Sequence, residues 1–322
     1  MSGFPYNHEQ AIAMLAPSLF ELLIDDCKGR APVPMAVCWP CTEVALAGAV
    51  EAAESGLILP QLVGPAAELY RIADLAGINV GKYELVDVST EHEAAAKSTE
   101  LCRAGYSKAL MKGSLHTDLM MQYVVAKDSG LHTSRRISHV FIMEAPLYRR
   151  PLLITDAAIN IQPRLEEKVD IVRNAIDLAH ILGNPRPKVA ILSAIETVNS
   201  KIPSTLDAAA LCKMADRDQI TGAILDGPLA FDTAVSREAA AVKLLHSPVA
   251  GEADIVVVPD LESGNMLAKQ LEYLGGARLA GIVLGAKMPI VLTSRADSAE
   301  TRAASCAVAS VLVHNRFLEV MS

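Results

Sequence analysis

The segment Lys112–Thr117 (KGSLHT) places a cation, a glycine, a hydroxyl and an imidazole next to one another. It follows a predicted strand and opens a predicted helix, so backbone N–H groups at the helix start would point toward a ligand. Gly113 would let that ligand approach the backbone closely. We predict an anion site here, and the alternative is an ordinary turn in which Ser114 caps the helix. The side chains that add hydrogen-bond donors are Lys112, Ser114, His116 and Thr117.

A second polar group, Thr293, Ser294 and Arg295, follows the apolar segment Ile290–Leu292 and precedes a predicted helix. A hydroxyl beside a guanidinium at a strand end suits a group that carries negative charge. Arginine offers a rigid two-point contact to phosphate. The alternative is a helix cap followed by a surface arginine.

Four further polar residues allow a functional and a structural interpretation. Arg135 and Arg136 precede a predicted strand and are either phosphate contacts or a solvated basic turn. Asp226 ends a predicted strand and either orients a ligand hydroxyl or caps a turn. His139 lies between a loop and a strand, and we expect a hydrogen-bonded structural histidine rather than a base.

Cys38 and Cys41 form a C-x-x-C pair at a predicted junction of strand and helix. One interpretation is a redox pair. The other is a strand that ends at Cys38, a proline, and a helix that starts near Thr42. A zinc site would need a second pair at ligand spacing, and the sequence has none. The N-terminal residues lack the pattern of a secretory signal, so we expect reduced thiols in the cytoplasm.

The elements that would position these residues alternate between strand-like and helix-like segments along nearly the whole chain. The strand-like segments are short, continuous and rich in Val, Ile and Leu, as in parallel strands buried on both faces. This alternation predicts an α/β fold with mainly parallel sheets, in which ligands collect where strands end. We expect one antiparallel pair, Val140–Met143 with Leu152–Asp156. We also expect a helix over His116–Ser129 and a capping box at Ser204–Asp207.

The composition excludes several classes of protein. The 29 Lys and Arg against 37 Asp and Glu give a net charge of −8, which argues against a nucleic-acid partner. No apolar run approaches the roughly 20 residues that span a bilayer, so we expect no membrane segment. The length of 322 residues rules out a small scaffold held by disulfides. Aromatic residues are only 4%, so the core must consist mostly of small aliphatic side chains.

Seven segments, in this order, resemble the phosphate acetyl/butyryl transferase family. The likeness is strongest to the phosphate butyryltransferase branch, and the transferase half of fusions with an enoyl-CoA hydratase is also similar. It covers nearly the whole chain beyond the first thirty or so residues. The segments are Lys112–Thr117, Ser138–Met143 (SHVFIM), Ile154–Asn160 (ITDAAIN), Ser193–Asp207 (SAIETVNSKIPSTLD), Asp226–Asp232 (DGPLAFD), Pro259–Lys269 (PDLESGNMLAK) and Leu284–Asp297 (LGAKMPIVLTSRAD).

The resemblance implies a two-domain αβα fold like that of isocitrate and isopropylmalate dehydrogenases. One domain would contain residues 1–137 and 281–322, and the other residues 138–280. The cleft between them would bind acyl-CoA and inorganic phosphate and convert them reversibly into acyl phosphate and CoA. The resemblance implies a homodimer or higher homo-oligomer and CoA as substrate. Neither a bound cofactor nor a metal is needed for this chemistry.

The family's Ser-Arg pair at the reaction centre matches Ser294 and Arg295. The acetyl branch has an aspartate, proposed as the base, seven residues after the serine. Thr301 stands there in this sequence, so the base is not assigned, and Asp297 is the nearest candidate. The remaining predicted contacts to phosphate or acyl phosphate are Lys112, Gly113, Ser114, His116, Thr117 and Arg135. Those to CoA or the substrate cleft are Asn199, Asp226, Gly264 and Asn265.

Other functions remain open at this point. A metal-dependent dehydrogenase of the same fold would need clustered aspartates, whereas the carboxylates of this chain are spread out. An acyltransferase that uses acyl-carrier protein is harder to separate from the main prediction. A non-catalytic acyl-CoA-binding protein is the alternative from a different class. The sequence leaves the acyl chain length and the physiological direction undecided.

Overall fold

The computed structural model describes residues 18–294 and 297–315. The predicted alternation of helices and strands is present throughout this part of the chain. The helices are α1 Leu19–Cys27, α2 Glu43–Glu54, α3 Ala66–Ala76, α4 Glu91–Arg103, α5 Thr117–Val124, α6 Leu165–Ile181, α7 Pro203–Asp216, α8 Phe231–Val235, α9 Arg237–Val242, α10 Leu261–Tyr273 and α11 Ala299–His314. The strands are β1 Val33–Cys38, β2 Ile58–Gly64, β3 Glu84–Asp87, β4 Ala109–Lys112, β5 Ser138–Glu144, β6 Leu152–Thr155, β7 Lys188–Leu192, β8 Ile224–Leu229, β9 Ile255–Val257, β10 Arg278–Leu284 and β11 Ile290–Val291.

The strands form one mixed sheet in the order β3-β2-β1-β4-β11-β10-β5-β6-β9-β7-β8. Most neighbours are parallel, as predicted. The antiparallel pairing of β5 with β6 is confirmed, with Val140 opposite Thr155. β10 is also antiparallel to both of its neighbours, β5 and β11, which the sequence analysis did not anticipate.

The strand order groups the strands as the predicted domain division does. Residues 138–280 supply β5, β6, β9, β7 and β8 at one end of the sheet, and β10 crosses the predicted boundary at residue 281. Because the sheet is continuous, the division into two domains stays a prediction. No helix in residues 18–294 and 297–315 has the length and apolar character to cross a membrane.

The core lies on both faces of this sheet. On one face a single buried cluster runs along both halves and includes Val37, Val140 and Val189. On the other face there are two clusters, represented by Leu110 and by Phe141. The small residues of α11 are almost completely buried against β10, α1 and α2. Small side chains therefore allow close packing of helices on the sheet, as the low aromatic content predicts.

The helix start predicted near Thr42 is correct, and three helices begin at a residue whose side chain caps them. The side chains of Thr42, Thr90 and Ser298 each accept a backbone N–H bond at the start of α2, α4 and α11. The capping box predicted at Ser204 is wrong: α7 starts at Pro203, and its N-cap residue makes no side-chain cap bond. The helix predicted over His116–Ser129 ends earlier, at Val124.

The carboxyl ends of β1 and β4 are held together just where the KGSLHT segment begins. The N–H groups of Gly113 and Ser114 donate to the carbonyls of Cys38 and Trp39, each at 2.8 Å, and the Ser114 hydroxyl also donates to Trp39. These two N–H groups are therefore not available to a ligand, and the helix start that the prediction concerned lies further along, at Thr117. Ser114 is also not the helix cap, since His116 occupies that position. Gly113 instead allows the two strand ends to approach each other.

Gly113→Ala should lower the free energy of unfolding by about 1–3 kcal/mol. The added methyl group would overlap the backbone carbonyl oxygens of Trp39 and Cys38, which cannot move independently of the sheet. Gly29→Ala is the matched control, because nothing lies within 4 Å of a Cβ at that position. Urea unfolding curves measure both variants. Equal midpoints for the two would contradict this packing role.

Candidate active site

A cavity of about 340 Å³ lies at the carboxyl ends of β4 and β11, on the face of the sheet that carries two separate apolar clusters. It is lined from both clusters, with Leu115 and Leu292 from one and Phe141 from the other. Six residues of the predicted site also line it. They are Lys112, His116, Thr117, Asn265, Ser294 and Asp297, and the remaining lining residues are His139, Ala158, Lys269 and Thr293.

Ser294 and Asp297 form the turn between β11 and α11. The Ser294 N–H donates to Asp297 Oδ2 at 2.7 Å, and the Asp297 side chain is buried. Its other oxygen, Oδ1, has no hydrogen-bond partner among the described residues and lies 3.9 Å from Lys269 Nζ. Burial raises the pKa of Asp297, although the Ser294 N–H and the Lys269 charge act in the opposite direction. A carboxylate with a raised pKa accepts a proton more readily at neutral pH.

The buried guanidinium of Arg302, in α11, positions the strand end that carries Ser294. It donates to Thr293 Oγ1 at 2.9 Å and to the Ser294 carbonyl at 2.8 Å. Gly48 in α2 leaves the room for it, because a Cβ there would overlap Arg302 Cδ. The sequence analysis did not single out Arg302. The available signal was a lone cation in an otherwise small and apolar helix.

Two lysine side chains bring positive charge to the cavity. Lys112 is buried, and its ammonium group donates to the carbonyls of Gly113 and Leu115, each at 3.2 Å. Lys269 in α10 pairs with Glu272 at 2.8 Å and was missed as a site residue by the sequence analysis. Thr117 begins α5, so the partial positive charge of that helix start adds to the two ammonium groups. This part of the cavity is suited to an anion.

His139 in β5 lines the same cavity, and its environment differs from the prediction. Its side chain is fully buried, and neither ring nitrogen has a hydrogen-bond partner in the described part of the chain. The expectation of a hydrogen-bonded structural histidine is therefore wrong. Burial lowers its pKa to about 3, so the imidazole is neutral at physiological pH. Its ring packs edge-on against Phe141, with centroids 4.3 Å apart.

Some predicted site residues do not line this cavity. Arg135 pairs with Asp177 of α6 at 3.3 Å. Gly264 faces Val258 and Ala157, so its lack of a side chain serves the packing of α10.

Two others lie near β7 and β8, at the far end of the sheet. Asn199 follows β7, and its side chain accepts a hydrogen bond from the Lys201 N–H. Asp226 in β8 accepts one from the Gly227 N–H. Arg295, the guanidinium of the predicted pair, lies outside the described residues.

The Cys38 and Cys41 thiols do not support the redox interpretation. Burial raises the pKa of each to about 12, so the reactive thiolate is disfavoured. The structural interpretation is confirmed, since β1 ends at Cys38 and α2 begins after its cap, Thr42. Within residues 18–294 and 297–315, no group of three His, Cys, Asp or Glu side chains could hold a metal ion.

The family model described as phosphate acetyl/butaryl transferase matches residues 71–310 of this chain. The chain belongs to this family. It is 57% identical over 300 residues to a phosphate acetyltransferase of Rhizobium meliloti, and the aligned residues cover 93% of this chain and 95% of the relative. It is 41% identical over 297 residues to a phosphate butyryltransferase of Clostridium acetobutylicum, and the aligned residues cover 92% of this chain and 99% of the relative. The family resemblance inferred from the seven segments is thus confirmed. The expected stronger likeness to the butyryltransferase branch is not, since the acetyltransferase relative has the higher identity.

Solved structures of other proteins have a similar fold. A branched-chain phosphotransacylase from Enterococcus faecalis matches with a TM-score of 0.77 and 31% identity, covering 88% of this chain and 99% of that chain. A 4-hydroxythreonine-4-phosphate dehydrogenase from Klebsiella pneumoniae matches with a TM-score of 0.55 and 14% identity, covering 88% and 100%. The second likeness concerns the fold alone.

We predict that the folded protein loses stability in mild acid because His139 is buried in its neutral form. The unfolded chain takes up a proton at this residue below about pH 6.5, whereas the folded protein does so only near pH 3. The stability that depends on a neutral His139 is therefore present above pH 6.5 and is lost as the pH falls. Below pH 6.5, the free energy of unfolding should fall with pH more steeply in the wild type than in His139→Gln, by up to about 1.4 kcal/mol per pH unit. Urea unfolding at several pH values measures this difference.

Met143→Leu supplies the control for this measurement, because it alters a buried side chain of the same strand and removes no titratable group. It should leave the wild-type slope unchanged. If His139→Gln keeps the wild-type slope, the folded protein takes up a proton at His139 in mild acid. The conclusion that the buried imidazole stays neutral would then be wrong.

Proposed function

We propose that this protein is a phosphate acyltransferase that reversibly transfers a short acyl group between CoA and inorganic phosphate. The observation that carries the proposal is one cavity that gathers Ser294, the buried Asp297, Lys112 and Lys269. Membership of the family supports the same reaction.

An oxygen of phosphate attacks the thioester carbonyl, the carbonyl electron pair moves to its oxygen, and the C–S bond breaks as the pair returns. The protein must hold the two reactants in line and stabilise the charge on the carbonyl oxygen. The leaving CoA sulfur must be stabilised or protonated. Holding the two reactants in line can supply on the order of 7–11 kcal/mol of the barrier. Positioning and charge stabilisation are therefore the main tasks of the site.

The cavity offers a group for each task. Lys112, Lys269 and the start of α5 with His116 and Thr117 would hold the phosphate. Ser294 would contact the thiol or thiolate sulfur. Asp297 would accept the thiol proton in the direction of acyl-CoA synthesis, in keeping with its raised pKa.

Arg295 follows Ser294 directly in the sequence. By its match to the family's Ser-Arg pair, it would stabilise phosphate or the developing oxyanion. Donors of this kind typically contribute about 3–4 kcal/mol.

We also propose the two-domain division, with residues 1–137 and 281–322 in one domain and 138–280 in the other. The grouping of strands along the sheet supports it. The cavity is lined from both parts, as a site in an interdomain cleft would be. An oligomer, with a homodimer as its simplest form, belongs to the same proposal.

The substrate is expected to carry a short acyl chain. Leu115, Phe141, Ala158 and Leu292 give the cavity an apolar wall. Acetyl-CoA is the first substrate to test, because the acetyltransferase relative shares more identical residues than the butyryltransferase relative.

The assay mixes the protein with acetyl-, propionyl- or butyryl-CoA and phosphate and follows free thiol. Phosphate-dependent thiol release is expected and ranks the chain lengths. No release with any acyl-CoA would contradict the proposal. Turnover of acyl-carrier protein thioesters alone would favour the carrier-protein alternative, and acyl-CoA binding without turnover would favour the non-catalytic one.

Ser294→Ala should lower kcat far more than it changes KM for CoA, because a contact to the sulfur strengthens as the C–S bond breaks. Steady-state kinetics in both directions measure the two constants. An unchanged kcat with a raised KM would place Ser294 in ground-state binding only.

Arg302→Lys should lower kcat by about 10²-fold, because the lysine cannot replace both contacts to the strand end that carries Ser294. Glu300→Gln is the control, since this exposed side chain lies in the first turn of the same helix. Wild-type kcat in a correctly folded Arg302→Lys would contradict the positioning role. Gly48→Ala, which presses on Arg302 from α2, should lower kcat in the same direction.

A further inference from the structure

The fold keeps space for the imidazole of His139 at the wall of the cavity. His139 and Phe141 point to the same face of β5, and Gly281 of β10 pairs with Phe141. A Cβ at Gly281 would lie 3.1 Å from His139 Nε2 and 2.7 Å from the Leu292 carbonyl oxygen. A larger residue at position 281 would therefore press on the ring. The glycine and the histidine form one local arrangement beside the cavity.

Burying the His139 imidazole without a hydrogen-bond partner destabilises the folded protein, so a function is needed to account for it. A buried polar group that makes no hydrogen bond loses its contacts with water and gains none in their place. Neither nitrogen of His139 has a hydrogen-bond partner among the described residues. Phe141 beside it buries only apolar surface. An apolar side chain of similar size would avoid the cost. Burying an imidazole at the wall of a substrate cavity therefore points to a ligand that completes its hydrogen bonds.

The surroundings of His139 indicate the chemistry of that ligand. Among the described residues, the charged groups that line the cavity are Lys112, Lys269 and Asp297, which suit the phosphate and the thiol proton. His139 adjoins the aromatic ring of Phe141 and is itself uncharged at neutral pH. A neutral imidazole offers one N–H donor. The part of the substrate that is apolar and carries a single hydrogen-bond acceptor is the acyl group with its carbonyl oxygen.

Building on the proposed function, we propose that His139 donates an N–H hydrogen bond to the carbonyl oxygen of the acyl thioester. When phosphate attacks, the carbonyl electron pair moves to this oxygen, and it returns when the C–S bond breaks. The hydrogen bond strengthens while the oxygen carries negative charge. His139 keeps its proton throughout, so it orients and polarises the carbonyl and transfers no proton. Asp297 remains the group that exchanges a proton with the thiol.

The direct test compares binding of butyryl-CoA with binding of S-butyl-CoA, a thioether of the same chain length that lacks the carbonyl oxygen. Calorimetry without phosphate measures both dissociation constants in the absence of turnover. The wild type should prefer the thioester by up to about tenfold, the effect of one neutral hydrogen bond. In His139→Leu the preference should fall to about one. His139→Gln, which keeps an N–H donor, should retain part of it.

Met143→Leu is the matched control, since it alters a buried apolar side chain of the same strand that does not line the cavity and changes no hydrogen-bond donor. It should retain the wild-type preference for the thioester. If His139→Leu does not fold, His139→Met also lacks a donor and takes its place in the comparison.

Steady-state kinetics give a second readout. His139→Leu should lower kcat about 10²–10³-fold, as the loss of one donor to a developing oxyanion does, with little change in KM for phosphate. If the donor-free variants keep the wild-type preference for the thioester, the carbonyl contact is wrong although the proposed function stands. If the wild type itself releases no thiol with phosphate, the proposed function fails, and the binding comparison still reports on the contact.

Discussion

The geometry of the site depends on one buried cation. Arg302 lies in a helix of small side chains and donates to the two residues at the end of β11, Thr293 and Ser294. Removing a guanidinium from water is costly, and the accepting oxygens repay that cost only when the geometry is good. Its charge also acts on Asp297, whose pKa it lowers against the stronger effect of burial. One side chain therefore connects the fold, the position of the serine and the electrostatics of the carboxylate.

Glycines provide the space for this and two related arrangements. Gly48 leaves room for Arg302, Gly113 for the carbonyls at the end of β1, and Gly281 for the imidazole of His139. Each lies where two elements approach closely beside the cavity. The chain has only 4% aromatic residues, and its interior is assembled from Ala, Val, Ile and Leu. Close packing of small residues brings polar groups from distant parts of the chain into contact.

The cavity separates three kinds of chemistry by environment. Ammonium groups at Lys112 and Lys269 suit a phosphate, a buried carboxylate at Asp297 suits proton exchange, and a neutral imidazole at His139 suits a carbonyl. The pKa of the carboxyl is raised by burial and that of the imidazole is lowered by burial. Burial thus disfavours the charged form of each group, so the carboxylate accepts a proton more readily and the imidazole stays uncharged at neutral pH.

The sequence by itself determined the alternation of elements, the start of a helix near Thr42, and the family. These follow from local patterns, since a cap or a buried strand is specified by neighbouring residues. The rule that ligands collect at strand ends also singled out Lys112 and Ser294 before the fold was known, whereas Asp297 came from the family resemblance.

Only the tertiary structure decided the direction of β10, the distance of Asn199 and Asp226 from the cavity, and the roles of Gly113, His139 and Arg302. These depend on which strands become neighbours, and a short apolar segment carries the same side chains in either direction. Whether a buried polar atom finds a partner is likewise decided by contacts between residues far apart in the chain.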